Sequence, residues 1–205
     1  MKSLIIFGNG GHCKACIDVI ETNNDFKIKG LISRTDEKLE SLMGYKILSD
    51  DNNYKKILNK DDYILIGIGQ IKSPKLRIKL FDELIKDGYQ MATICSKFSQ
   101  VSKHTNINIG TIIMHNVVIN PDTRIGCNCI INTSSLIEHD VQVSDHCHIS
   151  TGVILNGGVS VGEGSFIGSG CILREGIKIG ERVVISAGQT IMKDLKSDTI
   201  FRGEY

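Results

Sequence analysis

The sequence predicts two parts, a small parallel α/β domain followed by a parallel β-helix. From Val101 to Ile191 every sixth residue is Val, Ile or Leu, at all sixteen positions. Before residue 96 this period is absent, and short apolar segments with strand and helix patterns alternate instead. We therefore expect an α/β domain over residues 1–95 and a β-helix over residues 96–205.

A period of six is not helical, and it fits short strands joined by tight corners, with three strands per coil. The aliphatic column is expected to point inward and to stack along the axis. A second column four residues later is mostly small or β-branched, which suits half-buried strand positions. A prism this thin buries little by itself, so its flat outer faces are expected to pack on copies of the same chain.

The first part alternates strand and helix patterns, as in a Rossmann-like domain. We predict strands at residues 3–7, 28–32 and 63–68, helices at 12–22, 50–58 and 74–86, and a connection at 89–95. The loop Gly8-Asn9-Gly10-Gly11-His12 follows the first strand and begins the first helix. Its backbone N–H groups could bind a phosphate at the helix N-terminus.

Three interpretations of this loop are open: a nucleotide-sugar site, an NAD site, or a turn without a ligand. The dinucleotide fingerprint requires a small third residue where this chain has Cys13. It also requires an acidic residue after the second strand, where this chain has Ser33-Arg34. About ninety residues provide only one mononucleotide-sized unit, so we favour a nucleotide sugar.

The composition excludes several classes of protein. A net charge of +1 gives no basis for bulk electrostatic binding to nucleic acid or membrane. No apolar run approaches the ~18 residues that a membrane-spanning helix needs, and the short segment Leu4–Phe7 is not a signal peptide, so we expect a cytoplasmic protein. Seven cysteines, Cys13 and Cys16 among them, are expected to be buried reduced thiols.

Two stretches carry a family resemblance, residues 5–12 (IIFGNGGH) and residues 132–140 (NTSSLIEHD). The chain resembles the sialic-acid O-acetyltransferases and UDP-4-amino-sugar N-acetyltransferases, which include the bacillosamine-pathway enzyme. The resemblance implies a left-handed β-helix that binds acetyl-CoA, an N-terminal domain that binds the nucleotide sugar, and a homotrimer with sites between subunits. That family commonly has an Asp pair after the second strand, where this chain has Ser33-Arg34 with Asp36 further on.

The resemblance also assigns roles to individual residues. His139 would be the catalytic base and Asp140 its acidic neighbour. The other assignments are, for the nucleotide sugar, Gly10, Gly11, His12 and Asn132, and, for acetyl-CoA, His148, Gly157, Ser169 and Ala187. The remaining histidines, His104, His115 and His146, are expected at the surface.

Imidazole suits this chemistry because its unperturbed pKa of ~6.5 lies near neutral pH. Direct transfer from acetyl-CoA to an acceptor requires no acyl-enzyme, no cysteine nucleophile and no metal. Either Glu138 or Asp140 could orient His139 if the chain turns there, and the sequence leaves that choice open.

The acceptor has two candidates. We favour the amine of a UDP-linked 4-amino-4,6-dideoxy sugar, because the phosphate-binding loop is intact, and the alternative is a hydroxyl of a sialic-acid-type sugar. A non-catalytic sugar-nucleotide-binding module is a further alternative. A metal-dependent carbonic anhydrase is disfavoured, since the closely spaced second and third histidine ligands of that class have no counterpart here.

Overall fold

The computed structural model describes residues 1–33 and 39–203. Arg34 and Asp36, which were named where the chain departs from the family it resembles, lie outside the described residues, as do Glu204 and Tyr205.

The N-terminal domain is a mainly parallel sheet with two helices. Its strands, in sheet order β3-β4-β2-β1-β5-β6, are β1 Lys2–Phe7, β2 Phe26–Ser33, β3 Ser41–Leu42, β4 Tyr45–Asp50, β5 Tyr63–Ile66 and β6 Gln90–Met91. Helix α1 spans Gly11–Glu21 and helix α2 spans Lys75–Lys86. Strand β1 pairs in parallel with β2 on one side and with β5 on the other. Successive connections therefore leave β1 in opposite directions, which opens a crevice at the carboxyl ends of β1 and β5.

The predicted N-terminal strands and two of the three helices are confirmed, with ends shifted by one or two residues. The helix predicted at residues 50–58 is wrong. Strand β4 ends at Asp50, and the segment that follows contains only a single 3₁₀ turn at Tyr54–Lys56. The Asp50 carboxylate accepts hydrogen bonds from the backbone N–H groups of Asn52 and Asn53, at 2.9 and 3.0 Å, so it closes a local turn that competes with a regular helix.

The second part is the predicted parallel β-helix, of the left-handed type, built from two-residue strands in three sheets. Within the described chain, one sheet has seven strands, β7 Ile94–Cys95, β10 Ile112–Ile113, β13 Ile130–Ile131, β16 His148–Ile149, β19 Phe166–Ile167, β22 Val184–Ile185 and β24 Ile200–Phe201. Another has six strands, β8 Gln100–Val101, β11 Val118–Ile119, β14 Leu136–Ile137, β17 Ile154–Leu155, β20 Ile172–Leu173 and β23 Thr190–Ile191. The last has five strands, β9 Asn106–Ile107, β12 Arg124–Ile125, β15 Gln142–Val143, β18 Ser160–Val161 and β21 Lys178–Ile179.

The register of the β-helix follows the sequence period. Ile113 pairs with Ile131, eighteen residues or one coil later. The first strand of the prism, β7, lies just before the predicted boundary at residue 96. Near the end the spacing shortens, because Ile179 bridges to Leu195 and Ile185 pairs with Phe201, sixteen residues later in each case.

The three outer faces of the prism differ in chemistry, and this difference positions the site. The seven-stranded sheet forms the covered face, since its outward Ile94, Ile112 and Ile130 pack in one core cluster with residues of α1 and β1. The six-stranded sheet forms the apolar face, whose outward residues include Val118, Leu136, Ile154 and Ile172. The five-stranded sheet forms the polar face, whose outward residues are Asn106, Arg124, Gln142, Ser160 and Lys178.

The seven cysteines are all free. Five are buried, Cys13, Cys16, Cys129, Cys147 and Cys171, as expected for thiols that pack as small apolar groups. Cys127 is half-buried, and Cys95 is exposed, against expectation, because it lies in the first strand of the prism, where no preceding coil covers it. In the described ranges, no helix is long and apolar enough to cross a membrane.

Candidate active site

A cavity of about 1040 Å³ opens at the carboxyl ends of β1 and β5, where the N-terminal domain meets the β-helix. It brings together five of the residues predicted to bind ligands, Gly10, Gly11, His12, Asn132 and His148. The first three come from the loop after β1, and the last two come from the β-helix. His148 was predicted to contact acetyl-CoA, yet it lies in the same cavity as the residues predicted to bind the nucleotide sugar.

The loops after β1 and β5 approach each other closely and form one wall of this cavity. Gly8 has a φ of +130°, and a Cβ there would lie 2.9 Å from the carbonyl oxygen of Gly67. Helix α1 follows at once, with Gly10 as its N-cap, no capping side chain and no acidic residue in its first turn. The first N–H groups of α1 are therefore available to an anionic group in the cavity.

Two imidazoles line the cavity near each other. The ring centroids of His12 and His148 are 6.4 Å apart. Burial, with a smaller contribution from the Arg77 charge, lowers the pKa of His12 to about 3 and that of His148 to about 4. Both rings are therefore neutral at pH 7.

The hydrogen bonds of His148 define its neutral form. Nδ1 lies 2.6 Å from the backbone oxygen of Gln70, which can only accept, so Nδ1 carries the proton. Nε2 lies 3.2 Å from the Asn132 amide nitrogen and accepts from it. The amide oxygen of Asn132 accepts from the backbone N–H of Thr133 at 2.8 Å, which fixes the orientation of the amide group.

His139 and Asp140 form the corner between the apolar face and the polar face. Asp140 adopts a φ of 60°, so the chain turns and the two side chains can meet. His139 Nδ1 donates to Asp140 Oδ2 at 2.7 Å, which leaves Nε2 as the free basic nitrogen. This hydrogen bond raises the pKa of His139 above its ordinary value. Glu138 instead accepts from the amide of Asn120 at 2.9 Å, so Asp140 is the carboxylate that orients His139.

The other predicted acetyl-CoA residues lie along two different edges of the prism. Gly157 lies one coil after His139 on the same edge, and a Cβ on Gly157 would come within 2.9 Å of His139 Nε2. Ser169 and Ala187 lie at corners of the edge between the covered and apolar faces, the edge to which Asn132 also belongs. Ser169 Oγ is 2.9 Å from Ser150 Oγ.

The candidate site of one chain is thus split. The cavity lies beside the edge of Asn132, whereas His139 is an exposed residue on the other side of the apolar face and does not line the cavity. A single chain does not bring the predicted base and the predicted substrate residues together.

The prediction that His146 and His115 lie at the surface is wrong. His146 is only 7% exposed, because Phe81 of α2 packs against its ring, with 5.4 Å between centroids. His115 is half-buried and bridges the domains, with Nε2 3.0 Å from Asp18 of α1 and Nδ1 2.6 Å from Ser96 Oγ. His104 is exposed, as predicted.

Sequence reasoning missed Gln70 and Arg77, which connect the cavity wall to the β-helix. Gln70 lies in the loop after β5, and its side-chain amide donates to the backbone oxygen of His146 at 2.9 Å. The sequence signal that could have revealed this loop is the pair Gly67 and Gly69 directly after a buried strand, since loops at the carboxyl ends of neighbouring parallel strands meet.

In residues 1–33 and 39–203, no group of three or more His, Cys, Asp or Glu side chains is placed to hold a metal ion.

Two protein-family models match parts of the chain. Residues 3–84 match the PglD N-terminal domain, and residues 158–193 match the hexapeptide repeat of succinyl-transferase. Residues 3–84 are therefore a PglD-type N-terminal domain, and the β-helix carries a hexapeptide repeat of the kind found in a succinyl-transferase, in agreement with the resemblance drawn from the two sequence stretches. No curated protein sequence matches the chain significantly.

Solved structures of similar proteins share the whole architecture. PerB from Caulobacter crescentus, in complex with CoA and GDP-perosamine, is 27% identical, with a TM-score of 0.88 over 97% of this chain and 92% of its own. A mutant of perosamine N-acetyltransferase from the same organism, with the same two ligands, is 25% identical, with a TM-score of 0.87 over 97% and 92%. The acetyltransferase domain of PglB from Neisseria gonorrhoeae is 22% identical, with a TM-score of 0.87 over 95% and 93%, and this match shows the fold.

Proposed function

We propose that this protein transfers an acetyl group from acetyl-CoA to the amino group of a nucleotide-linked 4-amino sugar. The observation that carries the proposal is the cavity at the carboxyl ends of β1 and β5, where an uncapped helix N-terminus lies beside His12, Asn132 and His148. The helix N-terminus suits a nucleotide diphosphate, and the polar side chains beside it suit a sugar. The similar proteins from Caulobacter were solved with CoA and GDP-perosamine, a nucleotide-linked amino sugar.

The chemistry requires one base and a polarised thioester. The neutral amine attacks the thioester carbonyl carbon, and His139 Nε2 takes the proton that the amine loses. The tetrahedral intermediate collapses with cleavage of the C–S bond, and the thiolate of CoA leaves and takes up a proton. Asp140 stabilises the imidazolium formed at His139, because their hydrogen bond strengthens as the ring becomes charged.

Assembly into a homotrimer accounts for the apolar face. Val118, Leu136 and Ile154 point outward there in neighbouring coils, and Ile172 is 40% exposed. The N-terminal domain covers another face and the third is polar, so the apolar face is the surface left to bury against other copies. A threefold arrangement lets each copy present this face to its two neighbours.

The same assembly completes the split site. The apolar face is bordered on one side by the edge of His139 and Gly157, and on the other by the edge of Asn132, Ser169 and Ala187. When copies pack through this face, the His139 edge of one copy comes beside the Asn132 edge and cavity of the next. Acetyl-CoA would then lie between the two edges, against Gly157 of one copy and against Ser169 and Ala187 of its neighbour. The predicted cytoplasmic location remains part of this proposal.

The second candidate, acetylation of a sialic-acid-type hydroxyl, would leave the helix N-terminus of α1 without a diphosphate to bind. A non-catalytic binding module is a third candidate, and for it the oriented His139–Asp140 pair would have no role. Neither candidate explains both the free helix N-terminus in the cavity and the oriented His139–Asp140 pair.

The test measures thiol release from acetyl-CoA with three acceptors in parallel: a UDP-linked 4-amino-4,6-dideoxy sugar, its GDP-linked counterpart such as GDP-perosamine, and sialic acid, free or CMP-linked. Release with either amino sugar supports the proposal and identifies the nucleotide. Release with sialic acid alone moves the protein to the O-acetyltransferases. The absence of both CoA binding and thiol release would support the binding module.

A further inference from the structure

A buried cation lies between the two domains and close to the cavity. Arg77 of α2 is only 2% exposed. Its Nη1 donates to the backbone oxygens of Ile66 and Ile68, at 2.8 and 2.6 Å, and its Nη2 donates to the backbone and side-chain oxygens of Asn128, at 3.0 and 2.6 Å. One guanidinium thus joins the end of β5 to a corner of the β-helix.

The hydrogen-bond acceptors of Arg77 are unusual for a buried charge. All four are neutral oxygens, and in the part of the chain that the structure describes no carboxylate forms a salt bridge with it. Burial of an unpaired guanidinium is costly. A methionine or leucine would avoid this cost but would leave the four oxygens without their donors, so the task of the guanidinium is to hold the loop and the corner to which these oxygens belong.

The loop that Arg77 holds is the loop that orients His148. Ile68 and Gln70 are two residues apart, and the Gln70 backbone oxygen accepts a hydrogen bond from the Nδ1–H of His148 at 2.6 Å. The Gln70 side chain fixes the same loop to the β-helix through the backbone oxygens of His146 and Gly164. His148 in turn accepts from Asn132, whose amide lines the cavity.

We propose that Arg77 is a positioning residue, which clamps residues 66–70 to the β-helix and thereby holds His148 in its Nδ1–H form, with Nε2 as the acceptor for Asn132. The opposite tautomer would direct an N–H of His148 at the N–H of Asn132 and would turn the amide away from its present orientation. The predicted effect on turnover rests on the proposed function, whereas the predicted tautomer of His148 does not.

The direct experiment is histidine nitrogen NMR on the ¹⁵N-histidine-labelled full-length protein, with the His148 signals assigned by a His148→Gln variant. At pH 7 the wild-type protein should show a protonated Nδ1 and an unprotonated Nε2 for His148. Arg77→Met should convert this signal to a mixture of tautomers. Arg77→Lys keeps the charge but cannot donate from two separate nitrogens to the loop and to Asn128. A mixture of tautomers in Arg77→Lys would therefore show that the hydrogen bonds, and not the charge, hold His148. Lys86→Met, an exposed change on the same helix, should leave the signal unchanged.

The kinetic counterpart uses the same variants with acetyl-CoA and the active amino-sugar acceptor. Arg77→Met and Arg77→Lys should each lower kcat about 10-fold or more, with the KM for acetyl-CoA unchanged within about twofold, since misplacement of a substrate-positioning group costs turnover. An Nε2–H tautomer in the wild-type protein would overturn the proposal, as would unaltered His148 signals in a folded Arg77 variant. If Arg77→Met does not fold, the tautomer of His148 in the wild-type protein and in Arg77→Lys still tests the proposal. If no acceptor is acetylated but the tautomer changes as expected, the proposed function fails and the clamp on His148 stands.

Discussion

Gly157 leaves the space that the imidazole of His139 occupies. A Cβ on Gly157 would lie 2.8 Å from Cε1 and 2.9 Å from Nε2 of His139, closer than such contacts occur in proteins. The two residues occupy equivalent corners of neighbouring coils, and the N–H of Gly158 donates to the backbone oxygen of His139 at 3.0 Å. The position of the basic nitrogen therefore depends on the absence of a side chain one coil away.

Replacing Gly157 by Ala should displace the His139 ring without unfolding the β-helix. We expect kcat to fall about 10-fold or more, because displacement of a catalytic group by about 1 Å has effects of this size. The measurement is kcat for wild type, Gly157→Ala, His139→Asn and the double variant. If Gly157 acts through His139, adding Gly157→Ala to His139→Asn should cost little more. Fully additive losses would show that Gly157 contributes in another way.

Replacing His139 by Asn removes the proposed base and should lower kcat about 10²–10⁴-fold, the usual contribution of general-base catalysis. The variant should keep the wild-type thermal unfolding midpoint within a few degrees, because His139 is exposed. Unchanged turnover in His139→Asn would remove this residue from the mechanism.

The Asp140 hydrogen bond raises the pKa of His139, and this has a direct consequence for pH dependence. As the proposed base, His139 acts when deprotonated, so the acid limb of kcat/KM for the wild-type protein should lie above pH ~6.5, the ordinary pKa of imidazole. Asp140→Asn lowers the pKa of His139, so the limb should move to lower pH and the plateau rate should fall. The control is Glu138→Gln, because Glu138 bonds to Asn120 and contributes least to the shift. An equal displacement in both variants would contradict the assignment of Asp140.

The apolar face should be the interface between copies. Ile154→Lys puts a charge in its centre and should convert the proposed trimer to monomers, with loss of turnover, in sedimentation-velocity and activity measurements. Gln142→Lys places the same charge on the polar face and should leave both properties unchanged. A trimeric, active Ile154→Lys protein would show that another surface mediates assembly.

A complementary experiment tests whether each site uses two copies. Co-expression of His139→Asn with Gly10→Leu should restore activity in mixed trimers, if the assay uses a nucleotide-sugar concentration well below the KM of Gly10→Leu, at which each variant by itself has little activity. With equal amounts and random assembly, a quarter of the sites combine an intact His139 with an intact cavity, so we expect about 25% of wild-type activity. No recovery in mixed trimers would indicate that each site belongs to a single chain.

Gly10→Leu alone should act on the acceptor. Nothing lies within 4 Å of a Cβ at Gly10, and its φ of −86° is accessible to any residue, so the variant should fold and extend a side chain into the cavity. We expect the KM for the nucleotide sugar to rise about 10-fold or more while the KM for acetyl-CoA changes little. Lys14→Leu, an exposed change on the same helix, is the matched control. Equal increases in both KM values would contradict a nucleotide-sugar site at this loop.

Much of this protein is determined by the sequence itself. The period of six fixes the β-helix, because the aliphatic residue at every sixth position from Val101 to Ile191 points inward and every coil repeats the same local interactions. The glycines between Gly8 and Gly11 likewise predict the turn between β1 and α1, because the backbone geometry of a few neighbouring residues decides such a turn. The prediction failed at residues 50–58, where a local turn around Asp50 replaced an expected helix.

The tertiary structure alone decided which of these residues act together. The turn at His139–Asp140 selected Asp140 over Glu138, and chain folding brought Arg77, Gln70 and His148 into one network across more than seventy residues of sequence. Local patterns carry no information about such contacts, because they depend on how two domains dock and on which face of the prism stays uncovered. The sequence therefore determined the elements and the chemistry, and the packing of the domains decided where that chemistry can take place.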